Sequence, residues 1–197
     1  MNRPAAALMF AAALAIPGCA APPHDPADLS RVPTPDTETI DRVLDSPEAT
    51  QLAASFLRSQ HPPATIEDPR PFHRMGTQIL VYATNPNFAT DPQSLLEKAG
   101  TPSYIAVPAT LTPRTTPDTI QLTPTPPYTP QAIATGTEES QAAQSLPETA
   151  RLLLDYPSHT WFAWTQTRVT TISSSTNPTL NGQQFDANQF KQWLASR

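Results

Sequence analysis

The residues of this chain whose types and spacing could do chemistry fall into three groups. His61, Glu67, Asp68 and His73 are permitted zinc ligands. Pro62, Pro63, Pro69 and Pro71 interrupt them, and no two histidines stand four apart on a helix. The plainer reading is a solvated proline-rich loop whose acids pair with Arg70 and Arg74. His159 stands beside Trp161 and Trp164, and Asp155 precedes it closely enough to orient an imidazole. A Ser–His–Asp grouping can be written on that basis, but serines are so plentiful that the pattern selects none of them. A hydrogen-bonded surface histidine explains His159 equally simply. Trp161, Phe162, Trp164, Phe185, Phe190 and Trp193 form the heaviest aromatic cluster. Each ring buries roughly 150–250 Å², which suits a core. The functional alternative is an apolar groove in which Trp161, Trp164 and Trp193 are the binding candidates.

Other chemistries lack their residues. The five glycines, at 18, 76, 100, 136 and 182, cannot build a phosphate-cradling loop. There is no G-x-S-x-G elbow and no H-E-x-x-H. Neither Lys98 nor Lys191 has a serine three residues before it. No catalytic residue and no cofactor is implied. The net charge of -5 argues against a nucleic-acid partner, which wants a basic face.

The elements that would position these residues are written in local signals. Glu38 to Leu44 predicts a short helix with Ile40, Val43 and Leu44 on one side. Ser46-Pro47-Glu48 reads as an N-cap, a proline at N1 and an acid in the first turn, and apolar residues at helical spacing follow as far as Leu57. Thr77 to Ala83, Ser103 to Val107 and Thr119 to Leu122 read as strands. Asp91-Pro92 starts a helix that Gly100 would end as a left-handed cap. Ser145-Leu146-Pro147-Glu148 reads as a capping box opening a helix through Leu152 to Leu154. His159 to Ser173 predicts one long strand with a bend or bulge. Asn181-Gly182 predicts a type I′ hairpin turn. Asp186, with Gln189 at N3 and Phe185 stapled onto Phe190, opens a final helix burying Phe190, Trp193 and Leu194. Pro108 to Pro130 holds seven prolines and eight threonines and is expected to be a long exposed loop or edge excursion flanking the 119–122 strand. Pro124 and Pro127, then Pro127 and Pro130, match PxxP spacing, and the composition also resembles glycosylated stalks. The expected fold class is α+β: a small, mostly antiparallel sheet with helices packed on one face.

The amino terminus carries the most specific signal. Arg3 precedes an uncharged apolar run from Ala5 to Ile16. As a helix that run is ~18 Å long, against a hydrocarbon core of ~30 Å. Its length and flanks fit a secretory signal peptide. It ends in Ile16-Pro17-Gly18-Cys19, which resembles the lipobox of bacterial lipoproteins, although Pro17 stands where a small residue is usual. The resemblance implies a diacylglyceryl group on the Cys19 thiol and Cys19 as the mature N-terminus. Cys19 is also the only cysteine in the chain. Gly18-Cys19-Ala20 offers a second cleavage pattern, which would release a soluble chain.

The organisation expected is therefore a signal peptide at 1–18, a lipidated Cys19 and acidic Pro-rich tether at 19–45, and one α+β domain at 46–197 with the Pro/Thr loop at 108–130. The tether carries Asp25, Asp28, Asp36, Glu38, Asp41 and Asp45 against Arg31 and Arg42. Repulsion from anionic headgroups would hold the domain off the bilayer. The functional expectation is a membrane-anchored envelope lipoprotein, with its domain on the non-cytoplasmic side, acting as a non-enzymatic binding module for an envelope protein or glycan. The alternatives are an envelope hydrolase acting on wall or glycan material, and a solute-binding lipoprotein.

Overall fold

The computed structural model describes residues 34–60, 64–65 and 71–197. Cys19, His61, Glu67 and Asp68 lie outside the described residues. The elements run α1 (Thr37–Leu44), α2 (Pro47–Ser59), β1 (Phe72–Arg74), β2 (Ile79–Thr84), α3 (Pro86–Thr90), β3 (Gly100–Leu111), β4 (Pro117–Leu122), β5 (Pro130–Thr135), α4 (Glu138–Gln144), β6 (Arg151–Asp155), β7 (Thr160–Trp164), β8 (Val169–Ser174), β9 (Gln184–Phe185) and α5 (Ala187–Ser196). Among the described residues no helix is long and apolar enough to cross a membrane.

The fold is mixed α+β around one mostly antiparallel sheet. Its order is β5-β4-β3-β2-β6-β7-β8-β9, with β1 also paired to β3, which makes nine strands. Of the pairs described, only β2–β6 is parallel. The sheet is thus not small. Nor do the helices keep to one face. In β3, Ile105, Val107, Ala109 and Leu111 pack with Ile40, Leu44, Ala49, Ala53 and Leu57 of α1 and α2. The alternate residues Tyr104 and Ala106 pack with Ala142 of α4. Successive strand side chains point to opposite sides, so α4 covers the face that α1 and α2 leave.

α1 packs into the same core as α2, so ordered structure includes residues upstream of the expected boundary at Ser46. Its Ile40 and Leu44 are buried, and Asp36 caps it by accepting from the Thr39 amide. That bond holds the Asp36 carboxyl below its usual range. α2 starts as its residues predict, with Ser46 accepting from the Ala49 amide.

Four expectations give way to structure. Nearly half of the stretch 108–130 is sheet: it contains the end of β3, all of β4 and the first residue of β5, with turns and loop between them. Its strand prolines occupy positions that do not need a donor. Pro117 and Pro130 are first residues. Pro108 lies beside the junction of β1 and β2, where its carbonyl accepts from the Met75 amide. Leu152 to Leu154 form a strand, β6, not a helix. Leu152 and Leu154 join the α4 face while Leu153 points the other way, and a strand buried on both faces reads as an apolar run. The run from His159 to Ser173 is a hairpin, turned where Thr165 bonds to Arg168. It also carries a bulge opposite Trp161 and Phe162. Of the helix predicted from Asp91 only a 3-10 turn, Leu96–Lys98, forms; a separate helix capped by Asn85 precedes it, and Gly100, without a positive φ, starts β3 instead of making a left-handed cap.

The Asn181-Gly182 turn is real but of another type. Asn181 has φ -55 and ψ 127, Gly182 has φ 79, and the Leu180 carbonyl accepts from the Gln183 amide at 2.8 Å. Those are type II values, since type I′ needs positive φ at both central residues.

Candidate functional site

Trp161, Trp164 and Trp193 do not form one groove. Trp164 is fully buried, and its Nε1 donates to the Leu96 carbonyl at 2.9 Å. The Arg151 guanidinium lies over its ring at 5.0 Å. Trp193 is half-buried and stacks on Phe190 with an interplanar angle of 8°. Phe190, Phe162 and Phe185 complete that aromatic block beneath α5. Trp161 faces the other way, into the core under α4. Trp161 lines a cleft.

That cleft, of about 340 Å³, lies between α4 and the β7–β8 hairpin. Trp161, Ala142 and Ile172 give it an apolar lining; Glu138, Gln141, His159 and Ser173 give it polar groups. Among the described residues no lysine or arginine lines it. The β6–β7 hairpin sets one rim. Its loop, residues 156–159, ends with the His159 amide donating to the Tyr156 carbonyl. This places His159 at φ 44, a left-handed conformation. A glycine would adopt it without a steric cost. The hairpin thereby presents the imidazole to α4, where Nε2 lies 2.8 Å from Glu138 Oε2. Both side chains are about half exposed to solvent.

The Ser–His–Asp reading fails on geometry. Asp155 does not orient His159. Asp155 is fully buried and accepts from Ser158 Oγ at 2.6 Å, from Thr84 Oγ1 at 2.7 Å and from Arg197 at 3.0 Å. His159 pairs with Glu138 instead, so nucleophile, base and orienting acid are never linked. Of the expected metal group only His73 is described, and among the described residues no three His, Cys, Asp or Glu side chains gather to hold an ion.

Two buried polar groups lie in the core under α4. Glu139, next to Glu138 in α4, accepts from Tyr104 Oη at 2.9 Å and from Thr119 Oγ1 at 3.1 Å. Burial, with the Glu139 carboxylate beside it, pushes the Tyr104 phenol well up. Trp161 Nε1 is buried and has no hydrogen-bond partner among the described residues.

The sequence reading missed Glu138 and Gln141 because α4 is a short helix of seven residues. The available signal was Thr137 followed by two acids, a helix start that the surrounding polar residues dilute. The chain matches no protein-family model, no curated protein and no solved structure.

Proposed function

We propose that this chain is a lipid-anchored protein of a bacterial envelope whose folded unit serves as a binding module on the non-cytoplasmic side. One observation carries the anchoring: the apolar run from Ala5 to Ile16 closes on Ile16-Pro17-Gly18-Cys19, and that cysteine is the only one in the chain. Each buried lipid methylene contributes ~0.8 kcal/mol, so two acyl chains on one sulfur hold a protein stably where one holds it marginally. The cleft beside His159 and Trp161 supports the binding role. It combines an apolar lining with a few convergent polar groups, the usual composition of a ligand site.

The test is the intact mass of protein extracted from membranes. The expected species starts at Cys19 and carries a diacylglyceryl group. A lipid-free chain starting at Ala21 would overturn the anchoring. A Cys19→Ser chain is expected to leave the membrane pellet.

A further inference from the structure

We propose that the cleft between α4 and the β7–β8 hairpin takes a neutral, hydroxyl-rich ligand, a saccharide unit, clasped by Glu138 and His159 and seated against Trp161. This names a ligand class for the binding module proposed above and rests on that reading.

Three observations converge on it. The first is the strained rim. His159 holds φ 44 at a hairpin position that glycine fills more cheaply, and its ring meets Glu138 across the cleft. Backbone strain of this kind gathers at ligand clamps. The second is the orphan donor. Trp161 is 4% exposed, lines the cleft, and its Nε1 has no acceptor among the described residues. A buried N–H left unpaired is destabilising, and an acceptor oxygen would relieve it. The third is that Gln141 and Ser173 line the same space, and their side chains make no hydrogen bond to other described residues.

Charge then selects the ligand. The Glu138 carboxylate and the absence of lysine or arginine disfavour an anion. An ammonium group has no lone pair to offer the indole N–H. A hydroxyl both donates and accepts: it gives a proton to Glu138 or the Gln141 carbonyl and receives one from Trp161 or His159. An uncharged polyol ring also presents C–H faces to the apolar lining formed by Trp161, Ala142 and Ile172.

The experiment uses the full chain in detergent with its three tryptophans labelled with ¹⁵N at the indole. The Trp161 signal is assigned with Trp161→Phe. N,N′-diacetylchitobiose is the neutral probe; glucosamine and glucuronate carry the opposite charges on similar rings. Saturation-transfer signals from the sugars give the affinities. The expected result is that the neutral probe shifts the Trp161 indole while Trp164 and Trp193 stay fixed. Glu138→Gln, on an exposed side chain that folding does not need, is expected to weaken binding about 5–10-fold. Unchanged Trp164 and Trp193 signals in that variant show that the fold persists. The proposal is overturned if the neutral probe leaves Trp161 unmoved at 10 mM, on the order of the weakest useful sugar affinity. It is also overturned if glucosamine binds more tightly than the neutral probe, an outcome that leaves the binding-module reading standing with a cationic ligand.

Discussion

Tyr104 and Glu139 meet in the core under α4, the phenol donating to the carboxylate at 2.9 Å with both residues less than 5% exposed. No lysine, arginine or histidine forms an ion pair with Glu139 among the described residues. Hydroxyls from Tyr104 and Thr119 do the work of a counter-ion. The sheet brings these partners from β3 and β4 to a helix 35 and 20 residues away in sequence.

Removing the phenol leaves that carboxylate half-served. Tyr104→Phe is expected to lower stability at pH 7 by about 1–3 kcal/mol, read from urea melts. The same pair sets an alkaline limit. Tyr104 has its folded pKa raised above the ordinary value of 10.0. Its contribution is therefore fully present below about pH 10 and lost as pH rises, because the unfolded chain ionises first. The wild-type chain is expected to lose up to ~1.4 kcal/mol per pH unit from this one group above pH 10. Tyr104→Phe lacks that slope, so the two stability curves converge in alkali. Parallel curves would refute the assignment.

Asp155 poses the opposite case, a buried carboxylate that has a cation. Arg197 reaches it from beyond α5 at 3.0 Å, and Ser158 and Thr84 fill the remaining acceptor positions. Asp155→Ala strips these three donors and the Ser158 amide at once, and the expected cost is about 3–5 kcal/mol, the usual cost of breaking a buried ion pair. Ser158→Ala removes one hydroxyl and is expected to cost about 1 kcal/mol. Equal losses for the two variants in urea titration would show that the network is not centred on Asp155.

Gly100 is fixed by proximity to its neighbours. A Cβ there would lie 2.7 Å from Leu153 Cδ1, 2.9 Å from Trp164 Cζ3 and 3.3 Å from the Ala83 carbonyl. Trp164 cannot yield easily, since its Nε1 is tied to Leu96 and Arg151 lies over its ring. Gly100→Ala is expected to cost about 1–3 kcal/mol by overpacking and to shift the Trp164 fluorescence. Unaltered emission and melting would mean that the neighbours relax freely.

What the chain declares locally could be read, and what depends on distant partners could not. The Ser46 cap and the Asp186 capping box are complete within four residues each. Leu152 to Leu154 carry no such instruction. Three leucines fit a helix or a doubly buried strand, and the parallel pairing with β2 decides, 71 residues upstream. The Pro/Thr stretch misled for a related reason. Proline is excluded from a sheet only where its missing donor is wanted, and the register that spares Pro108 appears only once β1 is placed. In the cleft, His159 and Trp161 stood out by type, whereas Glu138 became visible only when the β6–β7 hairpin turned His159 toward α4.

α5 provides the sharpest trial of a purely local prediction. Asp186 accepts from the Gln189 amide at 2.9 Å, and the Gln189 side chain accepts from the Asp186 amide at 3.0 Å. Phe185 packs on Phe190 with ring centroids 5.9 Å apart, so the staple and the box close the same turn. Asp186→Ala removes the cap acceptor and is expected to cost about 1 kcal/mol. Asp186→Asn keeps an acceptor oxygen and is expected to stay within about 0.5 kcal/mol of wild type. Gln189→Ala added to Asp186→Ala should cost less than it does alone, because the two bonds are reciprocal. Strict additivity in a thermal or urea double-mutant cycle would show that the two bonds act independently and that the box is not a reciprocal unit.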